Sequence, residues 1–532
     1  MRKILMAATV AILLAVSCDE QSPDRFRAPE FGQVEVLLDG YKATVTCEVS
    51  GATENLTCGF LLHESDSALP QEIVVSPKGG KLKADVNGLI PATTYSIQAF
   101  ATNSINHVFS AEARFTTAEE DEKYFVNLPD PIFKQLILKD FDRNNDGYLS
   151  LEEAEAITTL EFCSDEVGSI EGVEAFSNLE RFAYHGSGIE EDRRTGKVTK
   201  IDLSDNKNLR SITVDGTNLT ELLLPEKNSY IEEIRCYFNK LEELDVTGCP
   251  KLKLLYCWNN HLTSLDLSNN RFLTDLKCAQ NDFSNGLDVS ACPELRYFAC
   301  NDSWLPTIDI SNNTKLIEFI CQRNMLSNID LSMNKDLVIL RCDQNYINSI
   351  DVSNNTELKI FDCGSNQISR LDVSHLSKLE EFSPGDNPIA EPFDLSCFPN
   401  LAIYFGNNLP IKKMPDFSHN PKLTSIHFCG EGGAYYMDKD FFRDWPDVKA
   451  FNIGGYPGDT IDLSLNTKME DIWIGGMPNV KILDLSASPV LKFIVLSGDE
   501  KLETVYVHKE VDISKLTVET DDKVHAVIEH KQ

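Results

Sequence analysis

At 532 residues the chain is too long for one compact core and divides into several domains. Its apolar content of 42% is that of a folded protein, while a formal charge of −34 excludes nucleic acid and anionic lipid surfaces as main partners. In chain order, the first signal is one for export. Arg2 and Lys3 precede an apolar run from Ile4 to Val16 that is too short to span a bilayer as a mature helix.

The run ends in Leu14-Ala15-Val16-Ser17-Cys18. Small residues just before a cysteine resemble the lipobox of bacterial lipoproteins. The resemblance implies a signal peptide over 1–17, cleavage before Cys18, lipidation of that thiol and a membrane anchor whose strength scales with buried methylenes. The tether that follows, 18–27, holds the acidic stretch Asp19-Glu20-Gln21-Ser22-Pro23-Asp24. It looks like the export tether of surface-displayed lipoproteins of Gram-negative gut bacteria, which implies a lipid-anchored, surface-exposed position on the cell outer membrane. No other segment is apolar enough to span.

Residues 28–117 alternate apolar and polar in short runs broken by Gly, Asn and Pro, the pattern of an antiparallel β-sandwich. The clearest strands are Val34–Val36, Ala43–Cys47, Gly59–Leu62 and Thr94–Ala101. The stretch from Leu89 to Tyr95, followed by Ala99, Ala101 and Asn103, resembles the fibronectin type III pattern, in which the tyrosine hydrogen-bonds the corner before it. Such a module implies a spacer. Cys47 and Cys58 are placed where they could pair within it.

Between 118 and 156 lie an acidic hinge, Glu119-Glu120-Asp121-Glu122, and a calcium motif. The run from Asp142 to Glu153 fits the EF-hand loop at each ligand position. Asp142, Asn144 and Asp146 supply oxygens at alternate positions, and Gly147 permits the sharp turn. Tyr148 offers a backbone carbonyl, Ser150 a hydroxyl or bridged water, and Glu153 a bidentate carboxylate. Asp130-Pro131 caps a helix with Ile132, Phe133, Leu136, Ile137 and Phe141 on one face, and Glu153 opens a second helix through Ala154, Ala156 and Ile157. A lone loop of this kind in an exported protein implies weak Ca2+ affinity, roughly 10⁻⁴ to 10⁻³ M, and a structural ion that stiffens the joint around it.

From 157 to 510 the chain repeats. Cys236, Cys257, Cys278, Cys300, Cys321, Cys342 and Cys363 follow one another at a step of 21 residues, once 22, which marks a solenoid. The repeat reads L-x-x-L-x-C-x-x-N-x-L/I-x-x-L/I-D-L/V-S-x-N, best in Leu337–Asn355. It resembles the leucine-rich repeat of the bacterial internalin family, in the cysteine-ladder form of internalin J. The resemblance implies an α/β solenoid with one short parallel strand per coil, so about 16 coils span on the order of 75 Å. Residues 511–532 are then a C-terminal cap.

Within each coil Leu, Ile and Cys point inward, and buried thiols act as small hydrophobes. A metal needs ligands that converge on a point, whereas a ladder spreads them along a line. Asn239, Asn260, Asn281, Asn324, Asn345, Asn366 and Asn387 form an amide ladder, interrupted by Ser303 at the 22-residue step. The column from Asp245 to Asp372 caps backbone amides or, alternatively, binds cations.

Function then belongs to the opposite parity of the strands, the concave face. There Arg235, Tyr237, Tyr256, Trp258, Lys277 and Tyr297 form an aromatic and basic cluster on an acidic protein. An aromatic insertion, 429–446, is a second candidate contact. No nucleophile–base pair or phosphate loop stands out, so the chain reads as a monomeric, non-enzymatic adhesion module. Its expected partner is a protein of a host or neighbouring cell; the alternative is a surface glycan captured as a nutrient, since flat aromatics also stack on sugars.

Overall fold

The computed structural model describes residues 28–531 apart from 52, 65–69, 104, 119–123, 188–193, 227–229, 412–414, 429–446, 455–457 and 478. The signal peptide, the tether with Cys18, the acidic hinge and the insertion 429–446 therefore lie outside the described residues. The chain forms two compact units, one of 1–126 with 142–150, the other of 127–141 with 151–532.

In the first unit two antiparallel sheets share one core. Glu30–Asp39, Lys42–Ser50 and Lys81–Val86 make one sheet; Gln71–Val74, Thr57–Glu64, Thr94–Thr102, His107–Phe109 and Ala113–Thr116 make the other. Alternation decides which side chains go inside: Val45, Phe60, Leu82, Ile97 and Ala99 are fully buried. The Tyr95 hydroxyl accepts a hydrogen bond from the Ile90 amide at 2.8 Å and so holds the corner before its strand. Cys47 and Cys58 are both buried free thiols, not a disulfide.

In the second unit Asp130 starts the helix Pro131–Phe141 by accepting from the amides of Ile132 and Phe133, both at 2.9 Å. Its other oxygen accepts from Gly168 at 2.8 Å and Ser169 at 3.2 Å. Burial works to raise the Asp130 carboxyl, but these four amides outweigh it and hold it below its ordinary value. Phe133 and Ile137 are the helix residues buried in the core, whereas Ile132 faces outward. The expected second helix is a single turn, Leu151–Glu155. Ala156 and Ile157 bond back to Glu153 and Ala154 in a tight turn, and the chain passes into the strand Thr159–Cys163. The second arm of the helix–loop–helix expected from the sequence is thus cut to one turn, because the residues that would extend it feed a sheet.

That strand begins a continuous parallel sheet that ends at Thr517–Thr520 and counts seventeen strands among the described residues, each inner strand pairing with the coils before and after it. Most strands of the repeat are three residues long, with a fully buried middle residue: Ile234, Leu255, Leu276, Phe298, Phe319, Leu340 and Phe361. The ladder cysteines come next and are fully buried too. Helices are absent from the repeat coils among the described residues apart from two short 3-10 turns, so the solenoid is mostly β rather than α/β. Residues 511–531 form one more coil, with Thr517–Thr520 in the main sheet and Val527–His530 in a smaller parallel sheet beside Thr504–Val507.

Asparagine closes the coils of the cysteine ladder, except where Ser303 takes its place. Asn345 donates from Nδ2 to the carbonyls of Cys321 and Cys342, both at 3.1 Å, while its Oδ1 accepts from the Leu326 amide at 3.0 Å. Asn260, Asn281, Asn324, Asn366 and Asn387 repeat this pattern. A second amide ladder, invisible as such in the spacing of cysteines, runs through Asn270, Asn313, Asn334 and Asn355, whose amide groups donate to carbonyls of the preceding coil. The 22-residue step is irregular as expected: Asp302 and Trp304 both adopt left-handed backbone, and Ser303 Oγ turns back onto the Asn301 carbonyl at 3.0 Å. By contrast the column from Asp245 to Asp372 lies exposed, each carboxylate accepting from the amide two residues on, as Asp351 does from Ser353 at 2.9 Å.

These two polar columns predict opposite sensitivities. Asn345→Ala strands three buried backbone groups and should lower unfolding free energy by about 3 kcal/mol or more. Asp351→Ala should change it far less, because water replaces the lost acceptor. Urea unfolding of both variants measures the contrast.

Candidate binding face of the parallel sheet

The parity set by the buried residues places three rows on the outer face of the sheet. The row before the thiols holds Arg235, Tyr256, Lys277, Ala299, Ile320, Arg341, Asp362 and Ser383, in register from strand to strand. The row after them holds Tyr237 and Trp258, then Asn301, Gln322 and Asp343, and finally Gly364 and Gly385. A third row, at the start of each strand, carries Glu233, Leu254, Asp275, Tyr297, Glu318 and Glu381.

Five of the six residues expected from the sequence come together here. Tyr256 lies between two cations, with the Arg235 guanidinium 5.6 Å and the Lys277 ammonium 4.9 Å from its ring centre. Tyr237 stacks on Trp258 at 5.1 Å and 12°, and Phe238 meets the same indole edge-on at 4.3 Å. Arg235 is tied to Glu233 at 2.6 Å. Burial, then a hydrogen bond to Asp215 and its charge, push the Tyr237 hydroxyl up to about 12. Asp215 is also bonded to His185 Nδ1 at 2.8 Å, so a polar chain supports the stack from the previous coils. Tyr297 stands apart in the third row, in register with Asp275 and Glu318, as an exposed ring.

The geometry limits what this patch can hold. One face of Tyr237 and one of Trp258 are spent on each other, and both cations sit over Tyr256.

A second polar cluster on the same face escaped sequence reasoning. Arg341 approaches Asp362 at 3.6 Å and Glu381 at 3.2 Å. Burial, then the charge of Asp343, push the Asp362 carboxyl up to about 7, against the opposing Gly364 amide and Arg341. Burial also raises Asp343. The signal was present: the residue before Cys363 is Asp362, and its register partner is Ser383. The ladder ends there because Pro384 stands in the next thiol position, and that ending hid the continuation of the rows. Further along, His427 stacks on Phe405 at 4.2 Å, and burial lowers its imidazole to about 4.

Of the six expected calcium ligands, Asp142, Asn144, Asp146, Tyr148 and Ser150 belong to the first unit and Glu153 to the second. The loop is held by its own carboxylates. Asp142 accepts from the amides of Asp146 at 3.2 Å and Gly147 at 2.9 Å, Asp146 accepts from Tyr148 at 2.8 Å, and Asn145 and Gly147 take left-handed backbone. Asn144 sits against Gly88, and Tyr148 packs on Phe125 at 5.2 Å. Among the described residues no group of three or more His, Cys, Asp or Glu side chains gathers to hold a metal ion.

No protein-family model matches this sequence, and no curated protein matches it. Among solved structures, the functional domain of InlJ from Listeria monocytogenes, which includes a cysteine ladder, matches with a TM-score of 0.58 at 26% identity, over 72% of this chain and 81% of that one. The repeat region is an internalin-like leucine-rich-repeat solenoid. An internalin, InlF, from the same organism matches at TM-score 0.46 and 22% identity over 58% of this chain and 97% of its own. The leucine-rich effector YopM from Yersinia pestis matches at 0.43 and 16%, over 61% and 89%.

Two predictions follow from burial in the solenoid. Thiol labelling of the native protein should modify exposed Cys163 quickly and the ladder cysteines only on unfolding, since burial raises their thiols well above the ordinary cysteine value. Asp362→Asn should stabilise the protein at pH 8 and not at pH 4. The folded carboxyl is raised to about 7 while the unfolded one titrates near 4, so the cost of its charge grows as pH rises between those values. Thermal melts of both proteins across that range read the difference.

Proposed function

We propose that this chain is a cell-surface lipoprotein, anchored through Cys18 in the outer membrane, whose solenoid binds a protein ligand without catalysing a reaction. The observation that carries the protein ligand is the cluster itself, with Tyr256 flanked by Arg235 and Lys277 and Tyr237 stacked on Trp258 beside it. Aromatic side chains next to arginine are the usual anchors of protein interfaces. The internalin-like fold supports the same reading, since solenoids present extended surfaces to large partners. The fibronectin-like sandwich serves as a spacer in this scheme.

The joint replacement Tyr256→Ala, Trp258→Ala should cut capture of a protein from host or neighbouring-cell extracts by at least tenfold, as loss of a central interface anchor does. The same variant should fold normally, because both side chains lie outside the core. Unaltered capture, or strong binding of the native chain on a glycan array with none from extracts, would sink the protein reading.

A second reading concerns the loop from Asp142. We infer that it takes a calcium ion, because the left-handed turn at Asn145 and Gly147 and the inward-drawn carboxylates of Asp142 and Asp146 give it an oxygen-only donor set. Calcium should then raise thermal stability and protect residues 118–200 from proteolysis, and Asp142→Ala should abolish both effects. Melting and cleavage profiles that ignore calcium would contradict this.

A further inference from the structure

Five strands along the sheet from Tyr256, at ~24 Å, the outer face changes character from cationic to anionic. Asp362 and Glu381 pair with the guanidinium of Arg341, and Asp343 feels the charges of both Arg341 and Arg323, the latter also paired with Asp302 at 3.6 Å. Carboxylates alone would be no more than a solvated patch. Ser383 separates this cluster from that reading. It stands in register beside Asp362 and is 6% exposed, yet its Oγ has no hydrogen-bond partner. Gln322 Oε1, in the row beside Asp343, is likewise buried without a donor. Buried polar atoms without partners are rare in native proteins, and those left over ask for a group that arrives from elsewhere.

Glycine leaves the outward row bare at this point. Gly364 follows the last ladder cysteine and Gly385 holds the same place in the next coil, and a Cβ at Gly364 would meet the Gly385 carbonyl oxygen at 3.2 Å, Asp362 Oδ1 at 3.5 Å and the Ser383 carbonyl oxygen at 3.6 Å. The row that carries Trp258 and Asp343 therefore has no side chain next to Asp362 and Ser383. Acceptors flank this bare stretch, and Asp362 and Glu381 share Arg341, while Asp343 feels both Arg341 and Arg323. A donor-rich, positively charged group satisfies both conditions at once.

We propose that this pocket receives a lysine or arginine side chain of the protein ligand, its N–H groups donating to Asp362, Glu381 and Ser383 Oγ. The inference rests on the reading of the outer sheet face as a protein-binding surface, and it gives the partner a pattern. An apolar, acidic-tolerant region meets Tyr256 and Trp258, and a basic side chain follows ~24 Å away. The carboxyl of Asp362 is held up by burial and by Asp343 and Glu381, against Arg341 and the Gly364 amide. An incoming cation favours its ionised form, so the pocket grips more firmly as pH rises through about 7.

The test uses the full chain and a defined probe, acetyl-Gly-Lys-Gly-amide, with its Nε-acetylated form and the arginine analogue beside it. NMR titration should show saturable binding of the lysine or arginine peptide, tighter at pH 8 than at pH 6, and none of the acetylated one. Asp362→Asn and Ser383→Ala should each weaken it by about tenfold. Asp330→Asn, which removes the same charge from an exposed turn, should leave it within about twofold. Ser383→Ala removes an unpartnered atom and should not lower the melting temperature, so its effect reads binding and not folding. Binding of the acetylated peptide, an equal loss in Asp330→Asn, or no saturable binding of either cationic peptide overturns the proposal. The Tyr256→Ala, Trp258→Ala variant should bind the peptide normally. If it also captures protein normally, the reading of the aromatic patch fails while the pocket stands; if the peptide never binds but the native chain captures protein, the pocket alone fails.

Discussion

Hydrogen bonding from one coil to the next is the constraint on which the rest of the protein depends. Each strand is only three residues long in most of the repeat, far too short to be stable alone, and it exists because the coils on either side supply its partners. A coil of this length must turn sharply several times, and every turn leaves backbone groups inside. The asparagines at Asn260, Asn281 and Asn345 satisfy those groups with both ends of the amide, which a thiol or a leucine cannot do. The cysteines fill the adjacent space with a side chain small enough to keep successive coils close. Amide ladder and thiol ladder thus have separate tasks, polar satisfaction and packing.

A rigid register on the inside has a consequence on the outside. Because side chains alternate across a strand, fixing Leu255 and Cys257 in the core fixes Tyr256 and Trp258 outward, and stacking coils line such residues up in rows. Rows make long-range patterns possible on the outer face of the sheet. Here the pattern is a stacked aromatic and cationic patch at one end and an anionic cluster further along. The anionic end carries a cost, since burial raises the Asp362 carboxyl to about 7 and its ionisation opposes folding as pH rises above the unfolded carboxyl value. Groups kept at the expense of stability are those for which a functional role is the natural explanation.

Much of this was legible in the sequence, and the reasons are physical. A 21-residue step of cysteines fixes the register because period-two alternation leaves no freedom about which neighbour faces out. The Asp column was readable because an Asp followed by a polar residue makes a local turn that needs no distant partner. The Asp130 cap was readable for the same reason, although its second pair of amides, from Gly168 and Ser169, comes from a distant segment. Other features depend on the third dimension. The second helix shrinks to one turn because strand pairing at Thr159–Cys163 competes for the residues after it. Left-handed backbone at Phe238, Asn259, Arg323 and Gln344 carries no glycine to announce it, since inter-coil hydrogen bonds enforce it. Stacking of Tyr237 on Trp258 follows from the spacing of coils and side-chain rotamers, and no composition argument foresees it.

The central claim is that the outer face of the parallel sheet is where a protein ligand sits. Hydroxyl-radical footprinting of the full chain, alone and with a captured protein partner, tests it most directly. The account predicts lost oxidation at Tyr256 and Trp258 and little change at Trp304, which is 63% exposed on the irregular coil turn outside the strand rows. Protection of Trp304 or of the N-terminal sandwich, with Tyr256 and Trp258 oxidised as in the free chain, would contradict it.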